Sequence, residues 1–480
     1  MVSQCTDAME LFLRQRGGIV KNIFKRKPSD FPTEYTVTNA FKKGDMFTKL
    51  SFIFLGIGNI LRKQVTKGIL FMATEIAYIY YMISYGFFTL SELPTIGSYE
   101  NKEVWNENDG IFEYIISGTR SVEALLYAVL TIIITLLFVA FWREAVKSAY
   151  KAQCLTKEGK HVNSFKDDVK DLFNVNLHKL LLTLPLAGIL TFTILPLVFM
   201  ILQAFTNYSY VDEKLIRFDW TGLDAFKKVL SLEGTIGKQF WSVLGWTIVW
   251  AIFATVLNYI FGMILALVIN RKGTRCKAMW RFFFILSIAI PQFVSLLIVR
   301  TMLSDNGAIN NILLDWGLID APLPFWTNVT WARVTVIIVN LWVGIPYTML
   351  TMTGILQNIP ADLYEAAKVD GANAFVVFFK ITLPYMLFVT MPSLITTFTG
   401  NINNFNVIYL LSGGGPASEH IVDTAGQTDL LVTWLYKLTI DQKDYNIGAV
   451  IGIMTFVVLA IVSLVTYRNT NSYKDEEGFQ

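Results

Sequence analysis

The sequence predicts an all-α polytopic membrane protein of about eight transmembrane helices, and three observations predict it. Hydrophobic residues make up 54% of the 480-residue chain and charged residues only 16%, short of the roughly one quarter that a soluble protein carries. The apolar residues gather into blocks of about twenty, the length that crosses a ~30 Å hydrocarbon core. The links between blocks alternate in charge. Residues 143–178 hold seven Lys or Arg, and 271–279 hold four with no acid. Residues 91–120 hold six acids against two bases, and 303–332 hold three Asp with no base. Disordered, collagen-like, coiled-coil and disulfide-scaffold classes are excluded.

Spans are expected at 67–90, 121–142, 179–203, 243–270, 280–301, 333–357, 384–411 and 446–467. The positive-inside rule then places the basic links and both termini in the cytoplasm of a cell (plasma or inner) membrane. No cleavable signal peptide is expected, so the first span directs insertion. Residues 46–61 are apolar but follow Arg14, Arg16, Lys21, Lys25, Arg26 and Lys27. An interfacial or re-entrant hairpin suits that charge better than a crossing. The expected organisation is an N-terminal part (1–178) with this hairpin and two spans, a six-span block (179–470) and a cytoplasmic tail (471–480).

Forty basic and 37 acidic residues give a net charge of +3, which suggests no nucleic-acid partner. Cys5, Cys154 and Cys276 are too few and scattered for a disulfide framework or a metal site. His161, His178 and His420 are equally dispersed. No nucleotide-binding P-loop, HExxH, CxxC or G-x-S-x-G occurs, and nothing suggests an enzyme.

Ionisable residues at membrane depth mark proton relays and ion sites. Spans 243–270, 384–411 and 446–467 contain none, which argues against an ion-coupled carrier and for a neutral ligand. Glu75 is the clear intramembrane acid; helix packing is its first reading and a transport role its second. Uncharged polar residues concentrate in two spans. Thr397, Asn401 and Asn404 recur at i, i+4 and i+7, one helical face, with Pro384, Pro392 and Gly400 as breaks. Asn340, Gly344, Tyr347 and Thr351 repeat the spacing beside Pro346. Amides and hydroxyls next to an aromatic ring are the groups that hold a sugar. The same Asn and Thr residues also bind neighbouring helices together, and the residues alone leave both readings open.

Between the sixth and seventh spans, residues 358–386 read as a short helix opened by Pro360 and ended by Gly371. A second helix with Phe375, Phe378 and Phe379 leads to Pro384. Ala366 and Ala367 offer a small-residue face with Glu365 beside it.

Glu365-Ala366-Ala367, Asp370-Gly371-Ala372 and Ile381-Thr382-Leu383-Pro384 together resemble the EAA loop of type I ABC-importer permeases. The resemblance implies that the loop helix is a coupling helix docking on a separate ATPase subunit, with Glu365, Ala366, Ala367, Asp370 and Gly371 at the joint. The partner then handles ATP, and this chain binds no cofactor. Residues 283–299, 339–349 and 403–439 resemble more closely the MalF-like permeases of maltose/maltodextrin importers. That likeness covers about 179–470 and implies sugar contacts at Gly344, Tyr347, Thr397, Asn401 and Asn404. It further implies an oligosaccharide substrate, a second homologous permease, two ATPase subunits and an extracytoplasmic sugar-binding protein. Gly400 stands where the maltose proteins carry a stacking aromatic, which widens the site or shifts ring contact elsewhere. The segment 204–242 is short, so docking of the binding protein is expected on smaller loops such as 413–428.

Overall fold

The computed structural model describes residues 35–106, 111–211, 214–271, 273–418 and 424–468. Expectations for Cys5, the basic stretch Arg14–Lys27, His420 and the tail 471–480 lie outside the described residues.

The first expected span is a helical rod, α1 (65–91), in which Val65–Tyr81 passes through a π turn, Met82–Gly86, into Phe87–Ser91. There follow α2 (Ser121–Lys157), α3 (Leu177–Gln203), α4 (Thr235–Asn270), α5 (Lys277–Ala289), α6 (Gln292–Met302) and α7 (Val329–Asn358). A short helix, α8 (Ala361–Val369), precedes α9 (374–402), α10 (Phe405–Leu411) and α11 (Tyr445–Arg468). Among the described residues six helices are long and apolar enough to cross a membrane: α2, α3, α4, α7, the α9–α10 run and α11. The α5–α6 pair makes a seventh if its two halves count as one span. Glu75 and four tyrosines, Tyr78, Tyr80, Tyr81 and Tyr85, set α1 apart from these six. Its exposed Ile69, Ile76, Ile79, Ile83 and Phe87 still suit a lipid-facing rod.

Two departures have local causes. The expected span 280–301 is bent by 87° between α5 and α6, because Pro291 lacks an N–H and disfavours helix in the residue before it. The acidic link 91–120 forms a two-stranded antiparallel hairpin, β1 (Glu100–Asn106) and β2 (Ile111–Ser117), registered from Glu100↔Ser117 to Asn106↔Ile111. Its β-branched and aromatic residues, among them Val104, Trp105, Phe112 and Ile115, favour strand.

The chain divides into two compact units, residues up to Pro94 with Glu123–Pro196, and Thr95–Val122 with Leu197 onward. In the first, α2 runs 37 residues, about 55 Å at 1.5 Å per residue, and passes well beyond its expected end at residue 142. Residues 143–157 are rich in Ala, Lys, Arg and Glu, all strong helix formers, so much of the expected basic loop is helix. Residues 46–61 contain two short helices, Met46–Leu50 and Ile57–Ile60, neither able to cross ~30 Å. Their fold is held by charge. Asp45 caps the first, accepting from the Thr48 amide at 2.9 Å. Arg62 donates to both Asp45 oxygens at 2.6 and 2.7 Å and to the Gly58 carbonyl at 2.8 Å. Burial raises the Asp45 pKa, but these bonds outweigh it and the carboxyl ends below its ordinary value.

Glu75 takes part in the same arrangement. It is 9% exposed and accepts the Leu55 amide at 2.8 Å. The acid is therefore the anchor of the 46–61 segment on α1.

In the second unit α4 is the central rod, packed along α7 and α9. Trp246 meets Arg333, Gly262 meets Thr348, and Asn270 bonds Thr353, so α4 and α7 run parallel. Tyr259 bonds Thr390 and Thr255 bonds Asn401, so α9 runs antiparallel to both. The ends of α4 and α7 and the start of α9 therefore share one side.

Replacing Glu75 tests its anchoring role. Glu75→Leu leaves the buried Leu55 amide without a partner and should cost about 1–3 kcal/mol, seen as a lower unfolding temperature of the purified protein in detergent. Glu75→Gln keeps an acceptor for that amide and should leave the unfolding temperature near wild type; a drop equal to that of Glu75→Leu would show that the acceptor is not what holds the segment.

Candidate functional site

Two constellations stand at different depths of the second unit: the loop between α7 and α9, and the polar faces of those helices. The loop follows the local chemistry of its sequence. Pro360 precedes α8, and Asp370 and Gly371 close it. Gly371 takes φ +73°, where a side chain is strained. Its amide bonds the Lys368 carbonyl at 3.1 Å, and the Ala372 amide bonds the Ala367 carbonyl at 2.9 Å. This is a Schellman closure. Asn373 then caps the next turn through the Val376 amide at 2.9 Å.

The expected Ala366–Ala367 face is corrected by burial. Ala367 is turned inward against the unit, while Glu365, Ala366, Asp370 and Gly371 are exposed. Each residue step along an α-helix rotates by about 100°, so Ala366 and Ala367 point in different directions. What stands outward instead is an apolar stripe: Leu363, Ala366 and Val369, the last 88% exposed, followed by Phe375 at 70%. The i, i+3, i+6 spacing was available in the sequence as a signal. Tyr364 ties the helix to the body through Thr382 at 3.2 Å. A rigid, exposed apolar helix with acids at its edge is suited to insertion into a partner's cleft.

The polar faces are more divided than their spacing suggests. Helix α7 runs on through Pro346, and α9 runs on through Pro384, just after its π turn Phe378–Thr382, and through Pro392. Asn340 is buried. Gly344 lies so close to the Asn258 side chain that a Cβ would meet it at 2.5 Å. Farther along α7, Tyr347 is 57% exposed and Thr351 is exposed. On α9, Thr397 and Gly400 are exposed. Asn401 is buried. Its amide donates to Thr255 Oγ1 at 3.0 Å, and its carbonyl accepts Trp250 Nε1 at 3.0 Å.

Asn404 is not on the α9 face. The helix ends at Ile402, and Asn404 caps α10 by accepting the Val407 amide at 3.3 Å. Asparagine's preference for caps ends the run that helical spacing extended. The exposed members of the expected set are thus Tyr347, Thr397 and Gly400, while Gly344, Asn401 and Asn404 are taken up in helix packing and capping.

At the other end of the unit the described part of 413–428 is pinned down. Thr428 Oγ1 bonds Ser412 at 2.8 Å and the Gly415 carbonyl at 2.6 Å. Lys437 pairs with buried Asp429 at 2.6 Å. A cavity of about 520 Å³ lies there, between Trp246, Arg333, Lys238 and Asp429.

This architecture is that of a multi-span helical membrane protein whose loop between α7 and α9 stands exposed at one end of the second unit. Comparison with known proteins agrees. A family model described as "Binding-protein-dependent transport system inner membrane component" matches residues 258–471. The chain is 35% identical to the galactooligosaccharides transport system permease protein of Bacillus subtilis, over 88% of this chain and 97% of that protein. It is 32% identical to the maltodextrin transport system permease protein of the same organism, over 92% and 99%. A solved bacterial ABC transporter for import of the acidic polysaccharide alginate shares the fold at 24% identity and a TM-score of 0.50, covering 62% of this chain and 96% of that one. The chain belongs to the permease subunits of ATP-binding-cassette importers, the MalF-like membrane components of binding-protein-dependent transport systems. It is a permease rather than an enzyme.

Asn401→Ala removes the bond from α9 to Thr255. The expected loss is about 0.6 kcal/mol, the average for an interhelical hydrogen bond in a membrane, read as a lower unfolding temperature in detergent. Unchanged stability would release Asn401 from its packing role.

Proposed function

We propose that this permease carries a neutral oligosaccharide, with maltodextrins as the first substrate class, inward across the cell membrane. The observation that carries the reading is full-length likeness to permeases named for maltodextrins and galactooligosaccharides. An interior whose open groups are Tyr347, Thr397 and a widened position at Gly400 supports it. Hydroxyl and ring contacts of this kind suit a sugar. A galactooligosaccharide is the second reading, favoured by the 35% identity to the permease of that name.

The chain works with a second homologous permease, two ATPase subunits that use ATP, and an extracytoplasmic sugar-binding protein. Both termini and the α8 loop lie in the cytoplasm, on the side of the basic link 271–279. ATP binding closes the ATPase pair around α8, with Glu365, Ala366, Asp370 and Gly371 outward and Ala367 seating the helix. The cavity turns outward and receives sugar from the binding protein, docked on loops such as 413–428. Tyr347 and Thr397 meet the sugar, while Gly344, Asn401 and Asn404 shape its bed. Hydrolysis returns the cavity to the cytoplasm.

Uptake of labelled maltotriose and of a galactotriose by a deletion strain, with and without the restored gene, tests the substrate. Rescue of either supports an oligosaccharide permease and names the class; rescue of neither sinks it. Tyr347→Ala should raise the half-saturating concentration. Gly371→Val places a β-branched residue where even ordinary residues lose about 1–2 kcal/mol. That variant and Glu365→Lys should abolish uptake while the protein stays in the membrane. Normal uptake in both would refute coupling through α8.

A further inference from the structure

The break between α5 and α6 holds a cavity of about 190 Å³ that no role above uses. Helix α5 has 13 residues, about 20 Å at 1.5 Å per residue. With Lys277 and Arg281 at its start, at the membrane surface, it stops short of the ~30 Å needed to cross. The break therefore lies at membrane depth. There the last carbonyls of α5 and the first amides of α6 have no intrahelical partners, and no side chain caps the start of α6. Such backbone is tolerated in a bilayer only where it is buried or lines a hydrated cavity.

The side chains lining the cavity have the same character. Ser287, Pro291, Gln292, Ser295, Trp342 and Tyr347 are among them. Ser295 is 7% exposed, and among the described residues its hydroxyl and the Gln292 amide make no hydrogen bond. Ser287 donates to the Phe284 carbonyl at 2.7 Å and keeps its acceptor capacity. Donors and acceptors are thus both present and both free, beside two exposed aromatic rings on α7. Sugar hydroxyls both donate and accept, and a sugar ring's apolar face covers an aromatic one. The volume falls below the roughly 300–1,000 Å³ of pockets that enclose a whole ligand. It suits a single ring.

We infer that this cavity is a subsite for one sugar ring of an oligosaccharide, reached past Tyr347, with Trp342 supplying the ring contact that Gly400 does not. The inference rests on the sugar reading proposed above. It assigns Gln292 and Ser295 to the ring's hydroxyls and makes the site longer than a disaccharide.

Thiol protection in the assembled transporter separates the two claims. With Cys5, Cys154 and Cys276 replaced by Ser, Gln292→Cys, Ser295→Cys and Thr397→Cys are each labelled with a small charged thiol reagent, with maltose or maltotetraose present. Maltotetraose at ten times its Kd should slow labelling about tenfold at Gln292→Cys and Ser295→Cys, following 1 + [L]/Kd. Maltose should protect Thr397→Cys and leave the other two unprotected. Protection of Thr397→Cys by both sugars, with none at residues 292 and 295, would overturn the subsite and leave the sugar reading standing. Failure of either cysteine in the cavity to label at all would also overturn it, because a lipid or a partner helix then fills the space. No protection at any of the three positions would overturn both.

Discussion

The second unit depends on how closely α4 and α7 approach each other. Where Gly262 faces α7, a Cβ would lie 2.5 Å from Thr348 Cβ; where Gly344 faces α4, it would lie 2.5 Å from Asn258 Nδ2. Inside a bilayer, burial of apolar surface does not drive helices together, so close packing and interhelical hydrogen bonds must. The two glycines permit the first. Tyr259 with Thr390, Asn270 with Thr353, and Asn401 with Thr255 provide the second. Each bond joins α4 to a neighbour, which makes α4 the common reference for α7 and α9.

That arrangement places Tyr347 and the start of the α8 loop on one rod. Tyr347 and Asn358 both belong to α7, about 17 Å apart at 1.5 Å per residue, and α8 follows directly. A displacement of α8 therefore acts on the helix that carries the exposed tyrosine. The Schellman closure at Gly371 and the Tyr364–Thr382 bond keep α8 a defined body. The apolar stripe it presents remains available because the closure is satisfied within the loop itself.

The interior uses neutral polar groups where other transporters use charge. The acid in α1, Glu75, serves a backbone amide, and Asp429 in the second unit is paired with Lys437. Hydroxyls and amides cost less to place in a membrane than ions, and they recognise a solute without fixing its charge.

The sequence by itself determined whatever depends on composition and near neighbours. Apolar block lengths gave the spans, charge gave their sidedness as an expectation, and Pro360 and Gly371 marked the ends of α8 because their backbone preferences act within a turn. Tertiary structure decided what depends on partners distant in the chain. Asn401 faces inward because Thr255, 146 residues away, accepts its amide. Ala367 is inward because the unit packs behind it, and Glu75 serves Leu55 because the 46–61 segment folds back onto α1. Helical spacing put Thr397, Asn401 and Asn404 on one face. A cap at Asn404 and a bond at Asn401 divided them, since periodicity names a face and only a neighbour determines whether that face is open.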